Sequence, residues 1–173
     1  MDDSTGAAPS RRAATLIAAV VAIMVAVSGC SWVKGVFGND DPNAGSSVSV
    51  FDVKVGDCFT APGEPRAELS ELNKVPCTAP HQQEAYAVIT YLPPAGTDPS
   101  IYPGNQALDT FAKGSCASAF AGYVGTAYPD SSLFYTYLLP SARSWTGTED
   151  RSVTCFVTTT GATLTKSVKG SKL

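Results

Sequence analysis

The stretch NQALDTFAKGSCASAFAGYVG, residues 105–125, decides how the rest of the chain is read. Leu108, Phe111, Ala112, Cys116, Ala119, Phe120 and Tyr123 recur at steps of three and four, the spacing of one helix face. Asn105 stands where an N-cap is expected, with Asp109 in the first turn and Gly125 just past the end. Gly114 weakens the interior by about 1 kcal/mol, too little to break so long a pattern. Cys116 lies on the apolar face, so a bridge from it would pin the helix to whatever that face covers.

On both sides of this helix the pattern changes to that of strands. Before it, VSVFDVKVGDCF at 48–59 alternates Val48 and Val50, then Val53 and Val55, ahead of a Gly56-Asp57 turn, and EAYAVITY at 84–91 has strand composition. Pro93-Pro94 ends that strand. Loops rich in Pro and Gly fill 61–74 and 95–104. After the helix, LFYTYLLPS at 133–141 is dense in strand formers, and SWTGTED at 144–150 reads as a turn. In RSVTCFVT, residues 151–158, Val153, Cys155 and Val157 share one face, opposite Thr154, Phe156 and Thr158. The order β-β-α-β-β predicts a small α+β domain over residues 48–165: an antiparallel sheet with one main helix packed on it. Residues 166–173 read as a frayed tail.

The chain has five cysteines. Cys58, Cys77, Cys116 and Cys155 form an even set, which in an exported domain reads as two disulfides. Of the three pairings, loop economy favours Cys58–Cys77 and Cys116–Cys155, and sequence order leaves the others open. No C-x-x-C occurs, and the spacings match no common zinc pattern, so no metal is expected.

The fifth cysteine belongs to the front of the chain. Arg11-Arg12 precedes AATLIAAVVAIMVAVSG, an uncharged run at 13–29. A span of the hydrocarbon core needs roughly 17–25 apolar residues. A run at the short limit, with basic residues before it and small residues after, is the pattern of an export signal. Val27-Ser28-Gly29-Cys30 resembles the bacterial lipobox. That resemblance implies a diacylglyceryl group on the Cys30 thiol and removal of residues 1–29. The alternative is a signal retained as an anchor. Residues 30–47 would then form a flexible tether with a reach of roughly 25 Å. Both alternatives place the domain outside the cytoplasm, on the outer face of the cytoplasmic membrane, held there by lipid on Cys30 or by the anchor itself.

The formal net charge is −3, with no basic stripe, so a nucleic-acid partner is not expected. Catalysis has few candidates. His81 is the single histidine. With Glu84 it could make an acid/base pair, but strand residues three apart face opposite sides unless a turn intervenes. Neither a G-x-S-x-G elbow nor an S-x-x-K motif is present, and no glycine-rich phosphate loop appears. The reading is therefore no enzyme and no cofactor. His81, Glu84, Trp145 and Arg151 are candidate binding residues. Asp150 and Arg151 read as a local ion pair, and the tyrosines with Trp145 could fill a core or line a groove.

Several segments together resemble a known family: GDCF at 56–59, VPCTAPHQQEAYAV at 75–88, YPG at 102–104, FAGYVG at 120–125 and LLPSARSWTGTEDRSVTCFV at 138–157. They are similar to the actinobacterial septum-formation domain family, over residues 51–158. The resemblance implies a membrane-anchored or lipidated protein in the context of septation, and no defined reaction. A binding or scaffolding module is the first expectation, with a cell-envelope or divisome protein as partner. A carrier of a small or lipidic ligand and a cell-wall hydrolase are the alternatives.

Overall fold

In the computed structural model, residues 45–61 and 68–173 are described, all within one compact unit. The apolar run at 13–29, Cys30 and nearly all of the tether lie outside them. Among the described residues no helix is long and apolar enough to cross a membrane.

Six antiparallel strands form one sheet: β1 (Ser46–Ser49), β2 (Cys58–Phe59), β3 (Glu71–Val75), β4 (Gln83–Thr90), β5 (Phe134–Leu138) and β6 (Ser152–Thr158). Their spatial order is β1-β3-β2-β4-β6-β5. The main helix α1 runs Asn105–Val124 and packs on β4, β5 and β6. The α+β class, the antiparallel sheet, the main helix and the two disulfides are as the sequence predicts.

Local boundaries differ in instructive ways. The alternating stretch 48–59 is not one strand. It holds the end of β1, a 3₁₀ turn at Val50–Asp52 and then β2 after the Gly56 turn. The N-cap of α1 is Gly104 at φ 89°, not Asn105. Only a glycine enters a helix comfortably from that backbone angle, and Asn105 instead accepts the Tyr102 hydroxyl. Asp109 falls beyond the first turn and pairs with Lys113 at 2.7 Å. Residues 144–150 are not a plain turn. A short helix, α2 (Ala142–Gly147), starts there with a reciprocal Ser141–Ser144 capping box.

Both sheet faces are covered, at least in part. On the helix side, Val153, Cys155 and Val157 meet Ala112, Cys116, Phe120 and Val124. The opposite side is also a core: Phe156 packs with Val53, Phe59, Leu72 and Ala85, and its ring meets Phe59 edge-on at 5.8 Å. The central strand β4 serves both cores through a bulge between Ala85 and Ala87. Strand side chains alternate, so neighbours Tyr86 and Ala87 can share the helix-side core only where an extra residue is inserted.

Two disulfides tie these layers. Cys116–Cys155 joins α1 to β6, and Cys58–Cys77 joins β2 to the loop after β3. Closing loops of 39 and 19 residues contributes on the order of 3–4 kcal/mol each by restricting the unfolded chain.

The C-terminal segment corrects the reading most. Residues 166–173 are not frayed. The Val168 side chain is buried in the helix-side core. Gly170 N–H donates to Tyr123 O at 2.8 Å and Lys172 N–H to Val124 O at 2.9 Å. These bonds occupy carbonyls that a helix end leaves without internal partners. Gly125, at φ 91°, lies where this C-terminal strap, residues 166–173, crosses, and an added Cβ there would come within 3.3 Å of Lys172 Cγ.

Candidate functional site

Three side-chain groupings gather the candidate residues. The first is buried around Glu84. Its position on β4 points the carboxylate between the end of α1 and the C-terminal strap. Glu84 Oε1 accepts from Tyr123 Oη and from Ser167 Oγ, each at 2.5 Å, and Oε2 accepts from Val168 N–H at 2.8 Å. Three donors on one fully buried carboxylate satisfy a group that would otherwise be costly inside a protein. Burial, and then the bond to Glu84, raises the Tyr123 phenol well above its ordinary range.

His81 lies beside this group, also fully buried. It precedes β4 and forms a two-bond bridge with Leu164, just before the strap, His81 N–H to Leu164 O at 2.9 Å and Leu164 N–H to His81 O at 2.8 Å. This bridge, outside the regular strand, turns the chain so that His81 and Glu84 meet, which plain alternation does not predict. Nδ1 donates to Ala79 O at 2.8 Å. Among the described residues Nε2 has no hydrogen-bond partner. A ring nitrogen of His81, a carboxylate oxygen of Glu84 and Cys58 Sγ lie within 4.8 Å of one another. Cys58 is bonded to Cys77, and Glu84 already takes three donors, so these groups as they stand make a poor cation site.

The second grouping surrounds Trp145. This indole is buried against Tyr91, Tyr102 and Leu108, and its Nε1–H donates to Ser100 O at 3.2 Å. The Arg151 guanidinium stacks 3.6 Å above the indole ring. Nη1 donates to Trp145 O and Asp150 O, and Nη2 to Pro99 O, at 2.9, 2.9 and 3.0 Å. The expected Asp150–Arg151 ion pair does not form. Asp150 instead accepts from Ser144 Oγ and Ser152 N–H. Trp145 and Arg151 therefore lock the 95–104 loop and α2 onto the end of β6.

The third is a broad open groove of about 1830 Å³ that runs from the sheet face bearing Val88 and Thr154 to the first residues of α1, Asn105, Gln106 and Asp109. The loop bearing Val50 and Phe51, the sheet residues Val88, Thr154 and Leu138, and the α2 segment with Arg143 form its walls. Phe51 and Val88 are 56% and 43% exposed there. Toward the start of α1, Tyr137 Oη donates to Asp109 at 2.6 Å. Hydrogen bonds from Lys113 and Tyr137 hold the Asp109 carboxyl below its usual range. Burial, followed by the bond to Asp109, pushes the Tyr137 phenol up to about 12.

Of the predicted site residues, His81 and Glu84 come together, and Trp145 and Arg151 come together elsewhere, but the two pairs do not make one site. The Cys58–Cys77 and Cys116–Cys155 pairs are bonded as loop economy favours, and Cys30 lies outside the described residues. The sequence reading missed Ser167 and Val168, and with them the role of the strap. Val168 is flanked on both sides by polar residues, a signal too slight to reveal a docked segment. It also missed Phe51, Val88 and Arg143 as one surface, because they come from distant parts of the chain.

No curated protein and no solved structure matches this chain. The family model described as "Septum formation" matches residues 55–171, which takes in both disulfides, the Glu84 cluster, the Trp145–Arg151 stack and most of the strap, and the chain belongs to that septum-formation family.

Proposed function

We propose that this protein is a membrane-anchored, extracytoplasmic binding or scaffolding module without catalytic activity, acting in septum formation or cell-wall growth. Residues 1–29 serve as its export signal, Cys30 carries the lipid, and the tether holds the domain at the outer face of the cytoplasmic membrane. Two disulfides in so small a domain support an oxidising compartment.

The observation that carries the binding role is the groove. Small-molecule sites are enclosed and run to about 300–1000 Å³. At about 1830 Å³, open, and walled by apolar and charged side chains together, this groove suits a polypeptide segment of a cell-envelope protein better than a lipid or metabolite. That favours the binding module over the carrier reading.

A photo-crosslinking residue at Val88 or Ser152 of the full chain, in intact cells, tests this. The expected result is one and the same envelope polypeptide captured at both positions, and its loss when Phe51→Arg is added. Capture of lipid alone, or no capture at either position, would overturn the reading. Mass spectrometry of the membrane-extracted protein tests the anchor: the expected N-terminal peptide begins at acylated Cys30.

A further inference from the structure

We propose that Cys58–Cys77 is an exchangeable disulfide that receives a thiol-bearing envelope partner at Cys77, while Cys116–Cys155 is a permanent cross-link. The two bonds differ in how exposed their cysteines are. Cys116 and Cys155 are both fully buried in the main core, between α1 and β6. Cys58 is also fully buried, but Cys77 is partly exposed, in the loop after β3. A bond with one reachable and one hidden sulfur can be attacked from outside at only one end, which directs exchange.

The surroundings of Cys58 supply the second part. His81 Nδ1 faces a carbonyl, which can only accept, so Nδ1 carries hydrogen, and in the neutral form of the ring Nε2 is an acceptor. Among the described residues that buried nitrogen is unpaired while the disulfide is closed. Buried polar atoms are rarely left so. The Cys58 sulfur is within 4.8 Å of the ring, and as a half-disulfide it has no hydrogen to give. A free thiol at Cys58 would be the missing donor. The other acceptors near that thiol are the Gly56 carbonyl, 4.0 Å from Cys58 Sγ, and the Glu84 carboxylate, which already takes Tyr123, Ser167 and Val168.

The step balances simply. A partner thiolate attacks Cys77 Sγ. The Cys58–Cys77 bond breaks, its electron pair leaves with Cys58 Sγ, and a sulfur–sulfur bond forms between partner and Cys77. The proton released by the partner thiol is made good at Cys58, whose S–H then donates to His81 Nε2. In reverse, Nε2 takes the proton, the Cys58 thiolate attacks Cys77 Sγ, and the partner leaves as a thiol. The net oxidation state is unchanged: one disulfide is exchanged for another. The partner need only carry a free thiol, so this bond adds a covalent grip to a binding module and does not depend on the groove.

The test uses the full chain, folded and oxidised, with reduced glutathione as the probe thiol and peptide mass spectrometry after alkylation as the readout. The expected result is opening of Cys58–Cys77 at least about tenfold faster than Cys116–Cys155, with glutathione on Cys77. Opening of both bonds together, at the rate of global unfolding, would overturn the proposal, and so would glutathione on Cys58. Cys58→Ser with oxidised glutathione should give a stable adduct at Cys77, and Cys77→Ser should give none at Cys58. His81→Gln should slow reclosure by about tenfold and alter its pH profile, at an unchanged rate of Cys116–Cys155 opening. Reclosure unaffected in that variant, if it folds, removes His81 from the mechanism.

Discussion

The hydroxyl of Tyr123 donates to the Glu84 carboxylate across 2.5 Å, and this one contact joins the last turn of α1 to the central strand beneath it. The same carboxylate holds Ser167 and Val168 of the strap. Helix, sheet and C-terminus therefore meet on one side chain. Tyr123→Phe removes one donor and leaves the others, so a loss of about 1.5–3 kcal/mol is expected, the usual worth of a bond to a charged group. Glu84→Gln adds a misplaced donor and should cost at least as much. Urea unfolding of both single variants and the double variant measures it. Additive losses would show that the contact has no coupling energy of its own.

Removal of residues 166–173 should destabilise the domain by about 4–9 kcal/mol. Burying a valine contributes roughly 1.5–3 kcal/mol, and each of the two bonds lost from Ser167 and Val168 to Glu84 adds about 1.5–3 kcal/mol. A frayed tail would be removed at no cost. An unchanged melting temperature in the truncated protein would therefore sink the strap as a structural element.

Arg151→Lys keeps the charge but gives up the flat stack on Trp145 and the fork of donors that reaches Trp145, Asp150 and Pro99 carbonyls. The expected loss is about 1–2 kcal/mol, drawn from the cation–π and hydrogen-bond contributions. Trp145 fluorescence should shift toward that of a solvated indole. A variant with wild-type emission and stability would mean that the stack contributes nothing.

Alkaline pH should unfold the protein in a defined window. Burial is the largest cause raising the phenols of Tyr86, Tyr123 and Tyr137 above their ordinary value of 10, Tyr137 to about 12. A group raised in the folded state stabilises fully below its unfolded value and loses that contribution as pH climbs toward the folded one. Stability should thus be level below pH 10 and fall between pH 10 and about 12. Thermal melts across that range, with phenolate absorbance followed in parallel, check it. All seven tyrosines titrating together at pH 10 in the folded protein would contradict it.

The helix was legible because its apolar face is long. Six residues from Leu108 to Val124 are buried at steps of one, three and four, and the pattern runs out at Gly125. β6 was legible on one face only. Val153, Cys155 and Val157 point to the helix as alternation predicts, but Phe156 proved equally buried because a second core lies behind the sheet. Asp150 and Arg151 were misread because opposite charges next to each other in sequence suggest a pair. Each has better partners: carbonyls and an indole face for Arg151, the Ser144 hydroxyl and Ser152 amide for Asp150.

What sequence alone determined is whatever repeats at short range or can be counted: the helix, the main strands, the even cysteine set with its preferred short-loop pairing, and the family motifs. Periodicity reports which face of an element is apolar, since neighbours three or two residues apart share one environment. What tertiary structure decided is every meeting across long separations. Glu84 finds Val168 across 84 residues. His81 turns toward Cys58 because Leu164 pairs with it from the far end of the chain. Such contacts are selected by packing and by the need to satisfy buried polar atoms, and neither constraint leaves a local pattern in the residues that meet it.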